Sequence, residues 1–154
     1  MSTTAKLLLG TRTALTTSAL NSLANVTYVN AGTITFASTG KVSLDCKLEV
    51  EATSGTVAGN KQLVVFAQQS MDGTNFETGP TSSTTTTDEQ NLTFIGALPL
   101  NSSATQQRKN FDLSAAFGGA LPYACKIIIK NDSGAALAAS GHAVNYTMID
   151  GDLT

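Results

Sequence analysis

The sequence contains no tryptophan, a single histidine, two cysteines and three prolines among its 154 residues. Charge is scarce as well, because Asp, Glu, Lys and Arg make up only 13% of the chain and the formal net charge is -2. Proteins that bind nucleic acid neutralise phosphates with clustered Lys and Arg, so this composition argues against direct nucleic-acid binding. One histidine cannot supply a histidine-based metal set, and no glycine-rich phosphate loop is present.

Long apolar runs are also missing, so the sequence predicts no membrane span. Near the amino terminus Lys6 precedes three leucines, and the sequence 10–12 then ends the apolar run. A secretory signal needs an apolar core of about 7–15 residues, so three leucines do not predict export.

What the chain has in quantity is threonine, serine and glycine, at 23, 14 and 13 residues. This mixture suits strands and tight turns better than surface helices. Residues 42–50 give the clearest pattern, because five apolar residues alternate there with four polar ones. Successive strand side chains point to opposite faces, so we expect all five apolar residues, Leu44 and Leu48 among them, to line a core. This segment therefore predicts a strand with one buried face and one solvent-exposed face.

Further strand-like segments bounded by turn residues are found at 25–29, 33–36, 61–70, 91–95, 110–113, 123–130 and 143–149. Only residues 17–24 carry apolar residues at helical spacing, which predicts a short helix or one helical turn. Eight or so strands with frequent turns predict an all-β fold, an antiparallel β-sandwich resembling a jelly roll, with at most one short helix near the N-terminus. The length fits one core.

We divide the chain into an N-terminal segment, 1–12, and a single β-sandwich domain, 13–154. The first segment has two interpretations: an edge strand of the same molecule, or an arm that lies on a neighbouring subunit or a larger surface. As a strand it would send Leu8 one way and Leu7 with Leu9 the other, so a one-sided core could not cover all three. The candidate protein-interaction residues are therefore Leu7, Leu8, Leu9 and Arg12.

A search for chemistry yields no catalytic, cofactor-binding or metal-binding residues. His142 is the only histidine and is expected to be solvated or satisfied locally. The turn that contains Asp72 lacks the spacing and the closing Glu of a calcium loop. Cys46 and Cys125 both lie in strand-like runs, and we expect two buried, reduced thiols. The sequence thus predicts neither an enzyme nor a small-molecule substrate, and no cofactor.

Four segments, at 20–25, 69–77, 106–108 and 130–141, resemble in their order and spacing the small virion proteins of tailed bacteriophages that act as capsid decoration or cement proteins. The most specific part is the turn Ser-x-Asp-Gly-Thr-Asn-aromatic-Glu at 70–77. It is followed further along by an Asn-x-Ser-Gly loop at 131–134 and an Ala-Ser-Gly end at 139–141. The resemblance extends through nearly the whole chain.

This resemblance implies binding without catalysis. The protein would be made in the host cytoplasm and would sit on the outer capsid surface of the virion. There it would act as a homotrimer that ties neighbouring major capsid protein subunits together. An alternative function is a carbohydrate-binding or adhesion sandwich on a phage fibre or tail, since loops on such folds often carry recognition. The absence of tryptophan argues against the alternative, because sugar platforms commonly use aromatic rings.

Overall fold

In a computed structural model, which describes residues 5–37, 42–56, 61–81, 88–101 and 105–153, two antiparallel sheets pack face to face. The described residues form the strands β1 (Ala5–Leu9), β2 (Thr13–Thr16), β3 (Tyr28–Thr35), β4 (Val42–Ala52), β5 (Gln62–Ser70), β6 (Thr93–Pro99), β7 (Gln107–Asp112), β8 (Ala124–Asp132) and β9 (Ala143–Leu153). They also include a 3-10 helix (Asp88–Asn91) and one α-helical turn, α1 (Leu113–Ala116).

The front sheet has the strand order β1-β9-β4-β7, with β2 also alongside β9, and the back sheet has the order β3-β8-β5-β6. The pairings are nested: β1 and β2 pair with β9, β3 with β8, β4 with β7, and β5 with β6. The chain is thus one long hairpin wrapped across both sheets, which is the jelly-roll arrangement. The predicted all-β sandwich is confirmed.

Strand β4 lies in the middle of the front sheet between β9 and β7, and its alternation is confirmed over most of its length. Completely buried side chains are found at Cys46, Leu48 and Val50. The prediction for Leu44 is wrong, since that side chain is 48% exposed. The pairing with β9 shifts register between Ser43 and Asp45, and such a bulge reverses the faces on its far side. The side chain of Val42 lies outside the described residues.

Residues 17–24 form turns and no helix. The N–H groups of Asn21 and Leu23 donate to the carbonyls three residues earlier, at 3.0 and 3.2 Å. Ser22 has a φ of 54°, in the left-handed region, which prevents a right-handed helix from continuing. The two helical turns of the described chain lie elsewhere, at 88–91 and 113–116.

The two strands predicted at 25–29 and 33–36 are largely one strand, β3. The expected turn between them is a bulge, because the register with β8 shifts between Asn30 and Gly32. A Cβ on Gly32 would lie 2.7 Å from Cγ of Leu15, so the glycine allows β2 to approach β3 closely. This contact anchors β2 to the core.

The core between the sheets contains both cysteines, with Cys46 on the front sheet and Cys125 on the back sheet, each free and fully buried. Burial raises the pKa of Cys46 to about 12 and raises the pKa of Cys125 further still. Both thiols therefore stay protonated at neutral pH and are poor nucleophiles. The prediction of two buried thiols is confirmed.

Candidate docking surface

Strand β1 is an edge strand of the front sheet and pairs with β9 along one side. Leu7 and Leu9 are 69% and 75% exposed, whereas Leu8 between them is half-buried. This is the alternation that a strand imposes on three consecutive leucines. Of the predicted segment 1–12, residues 1–4 lie outside the described residues. The rest of the segment belongs to the edge of the sandwich.

The exposed leucines are part of a larger apolar surface. Directly opposed residues of antiparallel strands share a face, and Leu9 is opposite Ile149 while Leu7 is opposite Gly151. Leu44, turned outward by the bulge, lies beside Gly151, where an added Cβ would be 3.3 Å from its Cδ1. We name these four side chains, Leu7, Leu9, Leu44 and Ile149, the apolar row. On β4, Asp45 is opposite Ile149 and borders this row.

Next to the apolar row lies an arginine–glutamate cluster, formed by Arg12, Glu49, Glu51 and Arg108. Arg12 donates from Nε to Oε1 of Glu49 at 2.8 Å and from Nη2 to Oε1 of Glu51 at 2.7 Å. Arg108 approaches Glu51 from the other side, with Nε 2.8 Å from Oε1. The two glutamates share a face of β4, and Arg108 is opposite Glu51 on β7. The cluster thus joins the β1–β2 link to the middle of the sheet.

The charges on this face neutralise one another. Partial burial acts to raise the pKa of Glu49, but the hydrogen bonds and the charge of Arg12 outweigh it, and the pKa lies below its usual value. The hydrogen bond to Lys47 holds the pKa of Asp112 well below its usual range. The same bond raises the pKa of Lys47, which also pairs with Asp45. Glu49, Lys47 and Asp112 therefore stay ionised at neutral pH.

A groove of about 240 Å³ separates the apolar row from the arginine–glutamate cluster. It is lined by Leu9, Arg12, Lys47, Glu49, Asn110, Asn145, Tyr146 and Thr147. Sites for small molecules usually measure about 300–1,000 Å³, so this groove is better suited to one side chain of a protein partner. Its lining combines apolar groups such as Leu9 with hydrogen-bonding groups such as Arg12 and Asn145.

The outer face of the back sheet is arranged differently. It carries a second apolar cluster of Tyr28, Phe66, Leu92 and Ile128. The chain around the 3-10 helix packs on this cluster, since Leu92 directly follows that helix. Glu89 accepts hydrogen bonds from the Tyr28 hydroxyl and from Lys130 Nζ, which ties the helix to the sheet. The protein covers this cluster with its own chain, whereas Phe94, opposite Phe66 on edge strand β6, stays 60% exposed.

The remaining residues singled out in the sequence serve local structure. His142 is 6% exposed; its Nδ1 accepts from the Thr53 N–H at 3.3 Å, and Nε2 donates to the Ala138 carbonyl at 2.9 Å. The expected local satisfaction of this histidine is confirmed. Such a ring has no free nitrogen for catalysis or metal binding.

Asp72 closes a turn. Its carboxylate accepts from the backbone N–H groups of Asn75 and Thr74 at 2.7 and 2.8 Å, and these bonds lower its pKa. Gly73 supplies the φ of 77° that the turn needs. Among the described residues, no group of three or more His, Cys, Asp or Glu side chains is placed to hold a metal ion.

Sequence reasoning brought Leu7, Leu8, Leu9 and Arg12 forward together, and the structure places them on one edge. It missed Ile149, which the register places beside β1, and Leu44, which lies one strand further across the sheet, and it missed the partners of Arg12. One signal for these partners was available in the sequence. Glu49 and Glu51 are two positions apart and so lie on one face of a strand, and two acids on one face require nearby cations or solvent.

No protein-family model matches the sequence, and no curated protein is significantly similar to it. Within the described residues, no helix is long and apolar enough to cross a bilayer.

Proposed function

We propose that this protein is a non-enzymatic structural protein of a tailed-phage virion that binds the outer capsid surface through the apolar row. In this proposal it acts as a homotrimer at three-fold or quasi-three-fold positions and links neighbouring major capsid protein subunits. The observation that carries the proposal is the apolar row, in which Leu7 and Leu9 remain more than two-thirds exposed on an edge strand. Exposed apolar patches of this kind mark interaction sites more often than they mark ordinary surface.

The surroundings of the apolar row favour a protein partner. A strand edge offers unpaired main-chain groups, which an extended segment of another protein can pair with. The neighbouring charges are paired within the chain, so a partner would not have to desolvate isolated ions. Such a surface is suited to an interface with an apolar centre and a polar rim.

Binding to a capsid through this surface would stabilise the assembled shell. A ligand that binds one state of an assembly stabilises that state by mass action. A protein that binds across neighbouring subunits of the expanded shell would therefore oppose its disassembly. This role requires many weak contacts and no catalytic group.

The test is co-sedimentation with heads of the encoding phage that lack this protein. Leu7→Ser/Leu9→Ser removes the two most exposed leucines of the apolar row, and burying each would contribute about 1.5–3 kcal/mol. We expect the double variant to bind heads at least about tenfold more weakly than the wild type. Met71→Ser is the matched control, because Met71 is apolar and 83% exposed but lies outside the row.

Wild-type occupancy by the double variant, or an equal loss in the control, would contradict the proposal. The carbohydrate-binding alternative predicts a separate outcome, in which the protein binds a glycan array and fails to bind heads. Mass photometry on the isolated protein checks the homotrimer.

A further inference from the structure

The edge of the front sheet is formed by two strands that are held in different ways. β1 and β2 both pair with β9, and residues 10–12 separate them. Within β1, only Leu8 among the three leucines turns toward the sandwich, and it is half-buried. The attachment of β1 therefore rests mainly on its main-chain hydrogen bonds to β9.

β2 has much deeper anchors. Leu15 packs on the main core and occupies the space above Gly32. The Thr16 hydroxyl oxygen accepts hydrogen bonds from the N–H groups of Ser18 and Ala19, at 3.3 and 3.1 Å. The turn then delivers Leu20, which is 1% exposed, into the core. Removing β2 from the sheet would disturb all of these contacts.

Arg12 stands at the boundary between the two strands. Its guanidinium reaches across the sheet to Glu49 and Glu51 on β4. Gly10, two residues earlier, still donates its N–H to the Met148 carbonyl of β9 at 2.8 Å. The main-chain hydrogen bonds that hold β1 to β9 thus end at Gly10, two residues before Arg12. Arg12 then fixes the chain to the middle of the sheet.

We infer that residues 5–9 form a strand that can detach from β9, with its hinge at residues 10 and 11. Arg12 anchors the chain directly after the hinge and so keeps the opening from extending into β2. Local opening of this kind follows the distribution of burial, and strands with little apolar burial open at the lowest free energy. Opening frees Leu7, Leu8 and Leu9 together and exposes the pairing edge of β9. Use of the released strand on a capsid rests on the proposed function, whereas the release itself does not.

Amide hydrogen exchange followed by NMR tests the inference on the isolated, full-length protein. We expect the hydrogen-bonded amides of β1 to exchange at least about tenfold faster than those of β2. In Arg12→Met, which keeps the apolar stem of the side chain and removes the guanidinium group, protection of β2 should fall toward that of β1. Arg108→Met is the matched control, because it removes the other cation from the same glutamates but lies on β7, away from β1 and β2. The control should leave the ratio between β1 and β2 unchanged.

A second variant keeps the test independent of how Arg12→Met folds. Leu9→Cys/Ile149→Cys places two thiols at directly paired positions, and the resulting disulfide should slow β1 exchange to the β2 rate. The inference is overturned if β1 and β2 exchange at equal rates in the wild type, or if Arg12→Met leaves β2 protection intact. If the exchange rates are as expected but the protein fails to bind phage heads, the result counts against the proposed function and not against this inference.

Discussion

The two outer faces of the sandwich differ in how far they cover their outward-pointing apolar residues, although Phe94 at the β6 edge of the back sheet is 60% exposed. On the back sheet, Phe66 and Ile128 are buried beneath the chain around the 3-10 helix, and Glu89 ties that helix down. On the front sheet, Leu7 and Leu9 have no such cover among the described residues. The comparison teaches that this chain has the means to cover an apolar cluster, and that it leaves Leu7 and Leu9 of the front sheet exposed.

The charged residues of the two outer faces also have different roles. The front face carries the arginine–glutamate cluster and the Lys47 pairs, so its charges are satisfied internally. On the back face, Lys130 and Glu89 form an ion pair that holds the cover in place. The ion pairs on the front face therefore link side chains of an exposed surface. The pair on the back face instead holds a covering segment against the sheet.

The largest expected effect comes from comparing a buried leucine with an exposed leucine on the same strand, β4. Leu48→Asp places a carboxylate in the completely buried core, at a cost of several kcal/mol against a typical total stability of about 5–15 kcal/mol. Leu44→Asp, four residues earlier but on the open face, should cost less than about 1 kcal/mol. Urea unfolding measures both. Equal destabilisation would place Leu44 in the core and remove it from the apolar row.

A smaller effect separates the two outer faces directly. Ile128→Ala empties part of the covered cluster and should destabilise the isolated chain by about 2–5 kcal/mol. Leu9→Ala, on the open face, should change stability by less than about 0.5 kcal/mol. Thermal unfolding of the two variants checks this difference. A large loss in Leu9→Ala would mean that the isolated protein itself covers the front face.

The smallest effect concerns the charges of the front face. Because the pKa of Glu49 in the folded protein lies below its ordinary value of 4.5, the unfolded chain binds the proton more readily. The stabilisation is complete above pH 4.5 and is lost as the pH falls through the lower, folded-state pKa. We therefore expect Glu49→Gln to show a shallower loss of melting temperature than the wild type between neutral pH and strong acid. Parallel melting curves would contradict this.

Much of the fold follows from local sequence pattern. Period-two alternation in β4 is a local property, and it correctly predicted the burial of Cys46, Leu48 and Val50. The bulge at Leu44 depends on how β4 pairs with β9, about a hundred positions away, so no local pattern announces it. The predicted turn at 30–32 is a bulge for the same reason. Strand existence was thus easier to predict than strand register.

The candidate site was predicted in part. Strand alternation is enough to bring Leu7 and Leu9 to the surface, because a strand cannot bury both of its faces at an edge. The partners of Arg12 could not be predicted, since Glu51 lies 39 positions further along the chain. The cover on the back face was missed as well. No strand or helix pattern predicted the 3-10 helix at 88–91, which packs beside the Tyr28 cluster.

The most direct test of the proposed function is a cryo-electron microscopy reconstruction of the head of the phage to which the proposal assigns this protein, with and without the protein bound. We predict density for the sandwich on the outer shell with its front sheet toward the major capsid protein, and with Leu7 and Leu9 in contact with that protein. A sandwich bound through the back sheet, or no difference between the two reconstructions, would contradict the account.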